Sequence, residues 1–422
     1  CHAALLGTTA LVCLSVVEPV FAEDFFITGD QTTTNGGKGP INGNDSVTLN
    51  GTITTTTGYG INTTGGSNKI SIETGGIEAT RDEKPVGINN TGGSTETFVM
   101  KGATITTNGN KGYGVFSNDG LNETIIDGTI ETLGELSHAI SVSGGENKTT
   151  VSGSIVTGDP NENTKTKNSY GIRNEGIGNE TTVSAGGSIK TYGTSSHGIF
   201  NEGNTNTTTV SGDIDTTGEK ANGVYNKGSG NVTTIEAGGS ITAQSAQGVR
   251  NTGSGNTTNV AGSISTKGDR WQEDGKWYYS DGIFNTASST TDVSGTITVE
   301  GEAARGIHNS GGNHKTTVSG SIYTTGNGSH GIALFGNTNI NNVTTITETG
   351  TIKTTGNGSS GITQVPAQDK EALMNTQITV DGRISTEGRN ALGIKNQAHG
   401  NITTVSGSIS TQGETASGIA NS

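Results

Sequence analysis

The sequence predicts an all-β chain folded as a right-handed parallel β-helix of about 14 coils, each with roughly 25 residues and three short strands. Three observations lead to this prediction. Three columns of aliphatic residues recur in phase, the residues around them alternate with a period of two, and Gly and Asn separate the apolar positions within each repeat.

The three aliphatic columns define the repeat. The first column follows Gly at nearly every position and comprises Ile61, Ile88, Val115, Ile140, Ile172, Ile199, Val224, Val249, Ile283, Ile307, Ile332, Ile362, Ile394 and Ile419. The second comprises Leu49, Ile72, Met100, Ile126, Val151, Val183, Val210, Ile235, Val260, Val293, Val318, Ile346, Val380 and Val405. The third comprises Ile53, Ile77, Ile105, Ile130, Ile155, Ile189, Ile214, Ile241, Ile264, Ile297, Ile322, Ile352, Ile384 and Ile409. Such phase is typical of a solenoid, in which each coil contacts only its neighbours.

The residues around the third column show the alternation of a β-strand. The residue after each Ile varies freely, as Tyr323 after Ile322 illustrates, whereas the residue two positions after it is nearly always Thr. One side of the segment is therefore small or apolar while the other can carry charge. A single coil cannot bury its apolar side, but stacked coils with parallel strands can, and crossover connections favour the right hand.

An asparagine column supports the same stacking. Nine Asn fall two residues after a first-column aliphatic: Asn90, Asn174, Asn201, Asn226, Asn251, Asn285, Asn309, Asn396 and Asn421. Asn tolerates corner backbone and hydrogen-bonds neighbouring groups, so we expect these side chains to form a ladder from coil to coil.

Composition agrees with a thin rod and limits the partners. The chain has 422 residues, of which only 28% are hydrophobic and 15% charged, with 70 Gly. Such a composition alone would indicate disorder, but a rod buries only one narrow channel and needs fewer apolar residues. The net charge of −14 argues against nucleic acid as a partner.

The first residues differ from the repeats. Residues 1–22 predict an N-terminally incomplete signal peptide, since an apolar stretch precedes Val20-Phe21-Ala22, which suits signal-peptidase cleavage. Both cysteines, Cys1 and Cys13, lie inside it, so the predicted mature chain has none. We assign 23–45 to an N-terminal cap or first-coil region and 46–422 to β-helical repeats that are expected to continue downstream.

The predicted leader, the mature chain without cysteine and units such as Gly198-Ile199-Phe200-Asn201-Glu202-Gly203 resemble the passenger region of bacterial autotransporters, which use type V secretion. The resemblance covers roughly residues 45–422 and rests on architecture and repeat style. It implies export across the inner membrane, display outside the outer membrane, and an outer-membrane barrel in cis downstream. It also implies an adhesin or stalk whose partner is a host-cell glycan or protein, or another bacterial cell. The exoproteins of two-partner secretion remain an alternative.

One long insertion between repeats is the first candidate contact site. Extra residues in a solenoid leave as loops, and the segment 269–281 holds both tryptophans of the chain. Its candidate partner-binding residues are Arg270, Trp271, Trp277, Tyr278 and Tyr279. Aromatic residues among polar groups are typical of contacts with sugars or proteins, although they also suit a loop that folds back over the rod.

The second candidate is a line of side chains, here called the outer stripe. It contains the residues that follow the first-column aliphatics of six successive repeats: Arg173, Phe200, Tyr225, Arg250, Phe284 and His308. We expect them to face outward and to stack about 4.8 Å apart, so that a polymer can lie along them. Stacking for stability alone explains the pattern nearly as well.

No catalytic, cofactor-binding or metal-binding residues are predicted. The acidic residues follow no common column, and no nucleophile elbow, zinc-binding helix motif or phosphate loop is present in the sequence. The sequence therefore predicts a non-enzymatic adhesin or stalk. The alternative is a polysaccharide-degrading β-helix, or a stalk for a catalytic domain outside this chain.

Overall fold

The computed structural model describes residues 24–33, 38–41, 43–161, 167–269, 271–273, 276–336, 341–366, 375–397 and 399–421. They form an all-β parallel solenoid of about 13 turns, and no helix occurs among them. The fold class predicted from the aliphatic columns, a right-handed parallel β-helix, is therefore confirmed. Among these described residues there is also no long apolar helix of the kind that crosses a membrane.

Three ribbons of parallel strands run along the rod. Ribbon 1 carries the first column and forms a sheet of 15 strands. Its strands are Lys38–Ile41, Tyr59–Thr64, Val86–Thr91, Tyr113–Asn118, His138–Val142, Ile172–Asn174, Ile199–Asn201, Val224–Asn226, Val249–Asn251, Ile283–Asn285, Arg305–Ser310, His330–Gly336, Ser360–Pro366, Leu392–Asn396 and Ser417–Asn421.

Ribbons 2 and 3 carry the second and third columns. Two long strands, Ser46–Thr55 and Ser67–Glu83, pass through both ribbons and join them into one sheet of 28 strands. The other strands of ribbon 2 are Asp24–Thr28, Ser94–Val99, Glu123–Ile126, Lys148–Val151, Glu180–Val183, Thr207–Val210, Val232–Ile235, Asn256–Val260, Ser289–Val293, Lys315–Val318, Val343–Ile346, Gln377–Val380 and Ile402–Val405. Those of ribbon 3 are Gln31–Thr33, Thr104–Asn110, Thr129–Leu133, Ser154–Thr157, Ser188–Thr191, Asp213–Thr216, Ser240–Gln244, Ser263–Lys267, Thr296–Glu300, Ser321–Thr325, Thr351–Thr355, Arg383–Glu387 and Ser408–Gln412.

The three aliphatic columns meet in one continuous core. Nearly all of their members have less than 3% of their surface exposed, as Ile241 and Ile264 do in the middle of the rod. One assigned member is wrong. Met100 is 41% exposed, whereas Val99 is fully buried and stands in register with Ile72 and Ile126. Strand alternation explains the difference, because Thr97 also points inward and Met100 begins the turn.

The Gly before most first-column residues is required by close coil contact. A Cβ atom on Gly223 would lie 2.2 Å from Cγ2 of Ile241 and 2.7 Å from the backbone oxygen of Gly248. The third-column side chain thus packs directly against the Gly that precedes the first-column residue. A side chain on this Gly would push the coils apart.

The asparagine column forms the predicted ladder in the middle of the rod. From Asn174 to Asn309, each side-chain amide donates to the oxygen of the next Asn at 2.7–2.8 Å. Each amide also donates to a Thr hydroxyl of its own coil at 3.0–3.2 Å. A second Asn column, missed in the sequence, accepts backbone N–H groups between coils; its members include Asn122, Asn147, Asn179, Asn206, Asn231 and Asn256.

Replacement of Asn251 by alanine should destabilise the rod by about 2–4 kcal/mol, because buried partners lose their hydrogen bonds. Its Oδ1 accepts from Asn226 at 2.7 Å, and its Nδ2 donates to Asn285 at 2.7 Å and Thr258 at 3.0 Å. Denaturant unfolding measures the loss. Asn259→Ala is the matched control on the outer side of ribbon 2, and an equal effect of both variants would contradict a special role of the ladder.

Candidate functional site

The outer stripe lies on the outside of ribbon 1, where strand pairing places its members in one row. Arg173 is in register with Phe200, Phe200 with Tyr225, and Tyr225 with Arg250. Arg250 is followed by Phe284, and Phe284 by His308. The predicted row of stacked side chains is therefore present.

The expectation that the whole outer stripe faces solvent is wrong for two of its members. Phe200 and His308 each expose only 7% of their surface, and the other four are half-buried. Phe200 is covered by the rings of Tyr170 and His197, whose centroids lie 5.0 and 5.6 Å away. The stripe is thus one of two layers of side chains on this face, and much of its apolar surface is buried against the other layer.

A second column provides this cover, and sequence reasoning missed it as a column. The covering column contains the residues two positions before the first-column aliphatics: Tyr113, His138, Tyr170, His197, Asn222, Gln247, Asp281, Arg305 and His330. The rings of His138 and Tyr170 stack at 4.7 Å, and those of Tyr170 and His197 at 5.2 Å. The sequence signal for the covering column is a polar or aromatic residue directly before the Gly of each ribbon 1 strand. Strand alternation alone would place this residue on the same side as the first-column aliphatic, and so it does not predict a position on the outside beside the stripe.

Ion pairs neutralise the N-terminal end of the stripe. Arg173 lies 2.7 Å from carboxylate oxygens of both Glu175 and Glu202, and Lys227 also contacts Glu202 at 2.7 Å. Burial alone would raise the pKa of Glu202, but the hydrogen bonds from Lys227 and Arg173 outweigh it and hold the pKa below its usual range. Arg173 is therefore committed to an intramolecular network.

The C-terminal end of the stripe surrounds a buried charged cluster. Asp281 is 1% exposed, and its carboxylate lies 2.9 Å from Nδ1 of His308 and 3.8 Å from the guanidinium of Arg305. The carboxylate also accepts the backbone N–H of Arg305 at 2.9 Å. Burial first, and then Arg305, lower the pKa of His308 although Asp281 opposes them. His308 is thus a neutral ring held between charged partners at neutral pH.

The insertion 269–281 meets the outer stripe at this cluster. Its backbone forms an antiparallel hairpin of Trp271–Glu273 and Lys276–Tyr278, which lies in the chain between a strand of ribbon 3 and a strand of ribbon 1. Arg270 and the side chains of Trp271, Trp277 and Tyr278 lie outside the described residues. Tyr279, at the base of the hairpin, is half-buried, and the guanidinium of Arg305 lies 3.7 Å from its ring centroid.

The base of the hairpin at Tyr279 and the C-terminal end of the outer stripe therefore form one continuous surface. Tyr279 also meets His308 edge to face at 6.3 Å, and Arg250 lies 4.9 Å from the ring of Tyr225 and 5.8 Å from that of Phe284. Aromatic rings alternate with guanidinium groups along this stretch of the rod, an arrangement that suits stacking with sugars or planar groups. Among the residues that the structure describes, no group of three or more His, Cys, Asp or Glu is placed to hold a metal ion.

Comparison of the chain with known protein families, curated proteins and solved structures gave no match.

Proposed function

We propose that this chain is the β-helical passenger region of an autotransporter-like surface protein and acts as an adhesin or as an adhesive stalk. The secretion route is inferred from the resemblance of the repeats to such passengers. The proposed contact surface consists of the aromatic hairpin and the adjoining stripe residues Tyr225, Arg250 and Phe284.

The observation that carries the adhesive role is the anchorage of the hairpin. A loop that served only to cover the rod would not need buried charges at its base, because a buried ion pair rarely adds net stability. Here the Asp281–Arg305–His308 cluster packs against Tyr279 at the base of the hairpin. We expect this contact to restrict the base of the hairpin and so to reduce the conformational entropy that the hairpin loses when it binds a partner.

Trp271→Ala combined with Trp277→Ala should weaken binding of the purified rod to cells or glycans by about 10-fold or more, as expected for aromatic hot spots. Thermal unfolding of the double variant should stay close to wild type. Tyr323→Ala is the matched control, since Tyr323 is an aromatic residue on ribbon 3 that is 39% exposed.

Unchanged binding in the double variant would refute the assignment of the hairpin, and equal losses in the control would show a non-specific effect. Release of reducing ends from a polysaccharide panel by the wild-type rod would instead favour the polysaccharide-degrading alternative.

A further inference from the structure

A pocket of about 250 Å³ opens on the outside of ribbon 1, several coils N-terminal to the hairpin. It is lined by Tyr59, Arg81, Lys84, Asn89, Tyr113 and Phe116 among others. Sites for drug-sized ligands usually occupy about 300–1,000 Å³, so this pocket suits a smaller group such as one sugar ring.

The pocket arises from a small residue in the covering position between two large ones. Tyr59 is in register with Val86, and Val86 with Tyr113, so two tyrosines stand one coil on either side of a valine. Two coils are about 9–10 Å apart along the rod. Because Val86 does not reach as far outward as its neighbours, a notch remains between the tyrosine side chains.

Two cations stand at the rim of this notch. Arg81 lies near the end of the long strand Ser67–Glu83 and Lys84 directly after it; both are exposed, and neither forms an ion pair among the described residues. Their acidic neighbour Glu83 is paired with Lys111 at 3.0 Å, while Asp82 is exposed beside them. Elsewhere on this face Arg173, Arg305 and Lys227 all have acidic partners.

A polar group completes the lining. Asn89 is 6% exposed and donates its amide to Oδ1 of Asn62 at 2.6 Å, which fixes the orientation of its side chain. Phe116 stands in register with Asn89 and packs against Tyr113 at 5.1 Å. The pocket therefore combines aromatic surface, a fixed amide and two free positive charges.

We propose that this pocket binds one uronate residue of an acidic polysaccharide. A pyranose with equatorial substituents has apolar C–H faces that stack on aromatic rings, here Tyr59 and Tyr113. Its carboxylate projects from the ring edge, where Arg81 and Lys84 can pair with it, and Arg81 can do so through two parallel hydrogen bonds. The amide oxygen of Asn89 accepts from a ring hydroxyl.

This site is separate from the hairpin, and the inference does not depend on the proposed adhesive role of Trp271 and Trp277. The probe is a hyaluronan tetrasaccharide, in which glucuronate is equatorially substituted, together with its carboxyl-reduced form. We expect calorimetric binding of the first and at least tenfold weaker binding of the second. Higher salt should weaken the binding of the acidic form only.

Two variants test the lining without touching the core. Arg81→Ala combined with Lys84→Ala removes both exposed cations and should lower affinity at least tenfold. Val86→Tyr should close the notch and abolish binding, while continuing the aromatic column on either side. Lys148→Ala, an exposed cation of ribbon 2, is the matched control and should bind like the wild type, as should the tryptophan double variant.

Equal affinity for the acidic and carboxyl-reduced sugars would overturn the proposal, as would wild-type affinity in the cation double variant. Failure of the tetrasaccharide to bind at all would also overturn it. None of these outcomes affects the hairpin proposal, which is tested separately by measuring how the tryptophan double variant binds to cells.

Discussion

Replacement of Ile264 by aspartate is expected to destabilise the rod by on the order of 5 kcal/mol, because it removes an aliphatic side chain and places a carboxyl group in the shared core. Ile264 is 1% exposed and lies in register between Ile241 and Ile297. No polar group of the column can pair with the new carboxyl, so the group must be buried unpaired or the coils must separate.

The loss of folded structure in the Ile264→Asp variant should be confined to the coils near Ile264. Each coil contacts only its neighbours, so the coils around Ile264 should open while distant coils stay folded. Hydrogen exchange resolved along the chain measures this, together with thermal unfolding followed by circular dichroism. The thermal transition of the variant should be broader than that of the wild type, or split.

Ser265→Asp is a closely matched control, because it adds the same carboxyl group one residue further along the same strand. Ser265 faces outward and is in register with Thr242 and Thr298, neither of which is charged. Its melting temperature should change little. Wild-type-like melting of Ile264→Asp would place Ile264 outside the core and remove the basis of the coil assignment.

The aliphatic columns were predictable because the dry channel tolerates few alternatives at each inward position. Where several apolar residues adjoin, identity alone does not select the buried one. In Phe98-Val99-Met100 only the strand phase set by Thr97 places Val99 inside and Met100 at the turn. The sequence therefore predicts the fold, but single registers depend on strand phase within each coil.

The outer face was predicted less well, because it depends on contacts between coils that are far apart in sequence. The sequence predicts the stripe because each of its residues directly follows a first-column aliphatic. The sequence does not predict the burial of Phe200, because the covering residues Tyr170 and His197 come from the turn before the strand and reach over its ring. The link between the hairpin and the stripe likewise rests on Arg305, which follows the hairpin by a full coil.

Acidification from pH 7 to pH 5 is expected to lower the free energy of unfolding steeply, because histidines of the covering column are buried as neutral rings. Burial lowers the pKa of His138, His197 and His330 to about 3, and the nearby Arg173, Arg250 and Arg305 respectively act in the same direction. His308 and His314 are shifted the same way, the latter to a pKa of about 4.

The direction of the effect follows from the difference in bound protons. Above pH 6.5, the ordinary histidine pKa, both states are largely neutral and the histidines add no pH dependence. Between pH 6.5 and about 3 the unfolded chain binds protons that the folded chain does not, so stability falls as the pH falls. Each such histidine contributes about 1.4 kcal/mol per pH unit, or about 2 kcal/mol by pH 5.

Besides burial, which is the main cause of the lowered pKa values, hydrogen bonds between coils involve the same rings. Nδ1 of His197 accepts the backbone N–H of Asn222 at 3.0 Å, and Nδ1 of His138 accepts that of Tyr170 at 3.1 Å. His330 does the same for Ser360 at 3.1 Å. A protonated ring has no free lone pair on Nδ1, so protonation would break the bond between coils as well as bury a charge.

His197→Asn should keep the acceptor and remove one titrating group, because Asn222 has the same role in the next coil and accepts from the backbone N–H of Gln247 at 3.2 Å. Denaturant unfolding between pH 7 and 5 should then show a slope smaller by about one proton. His399→Asn, at an exposed position, is the matched control and should keep the wild-type slope. Stability that stays level or rises on acidification to pH 5 would show that these rings are not held neutral, and the covering column would then be open to solvent.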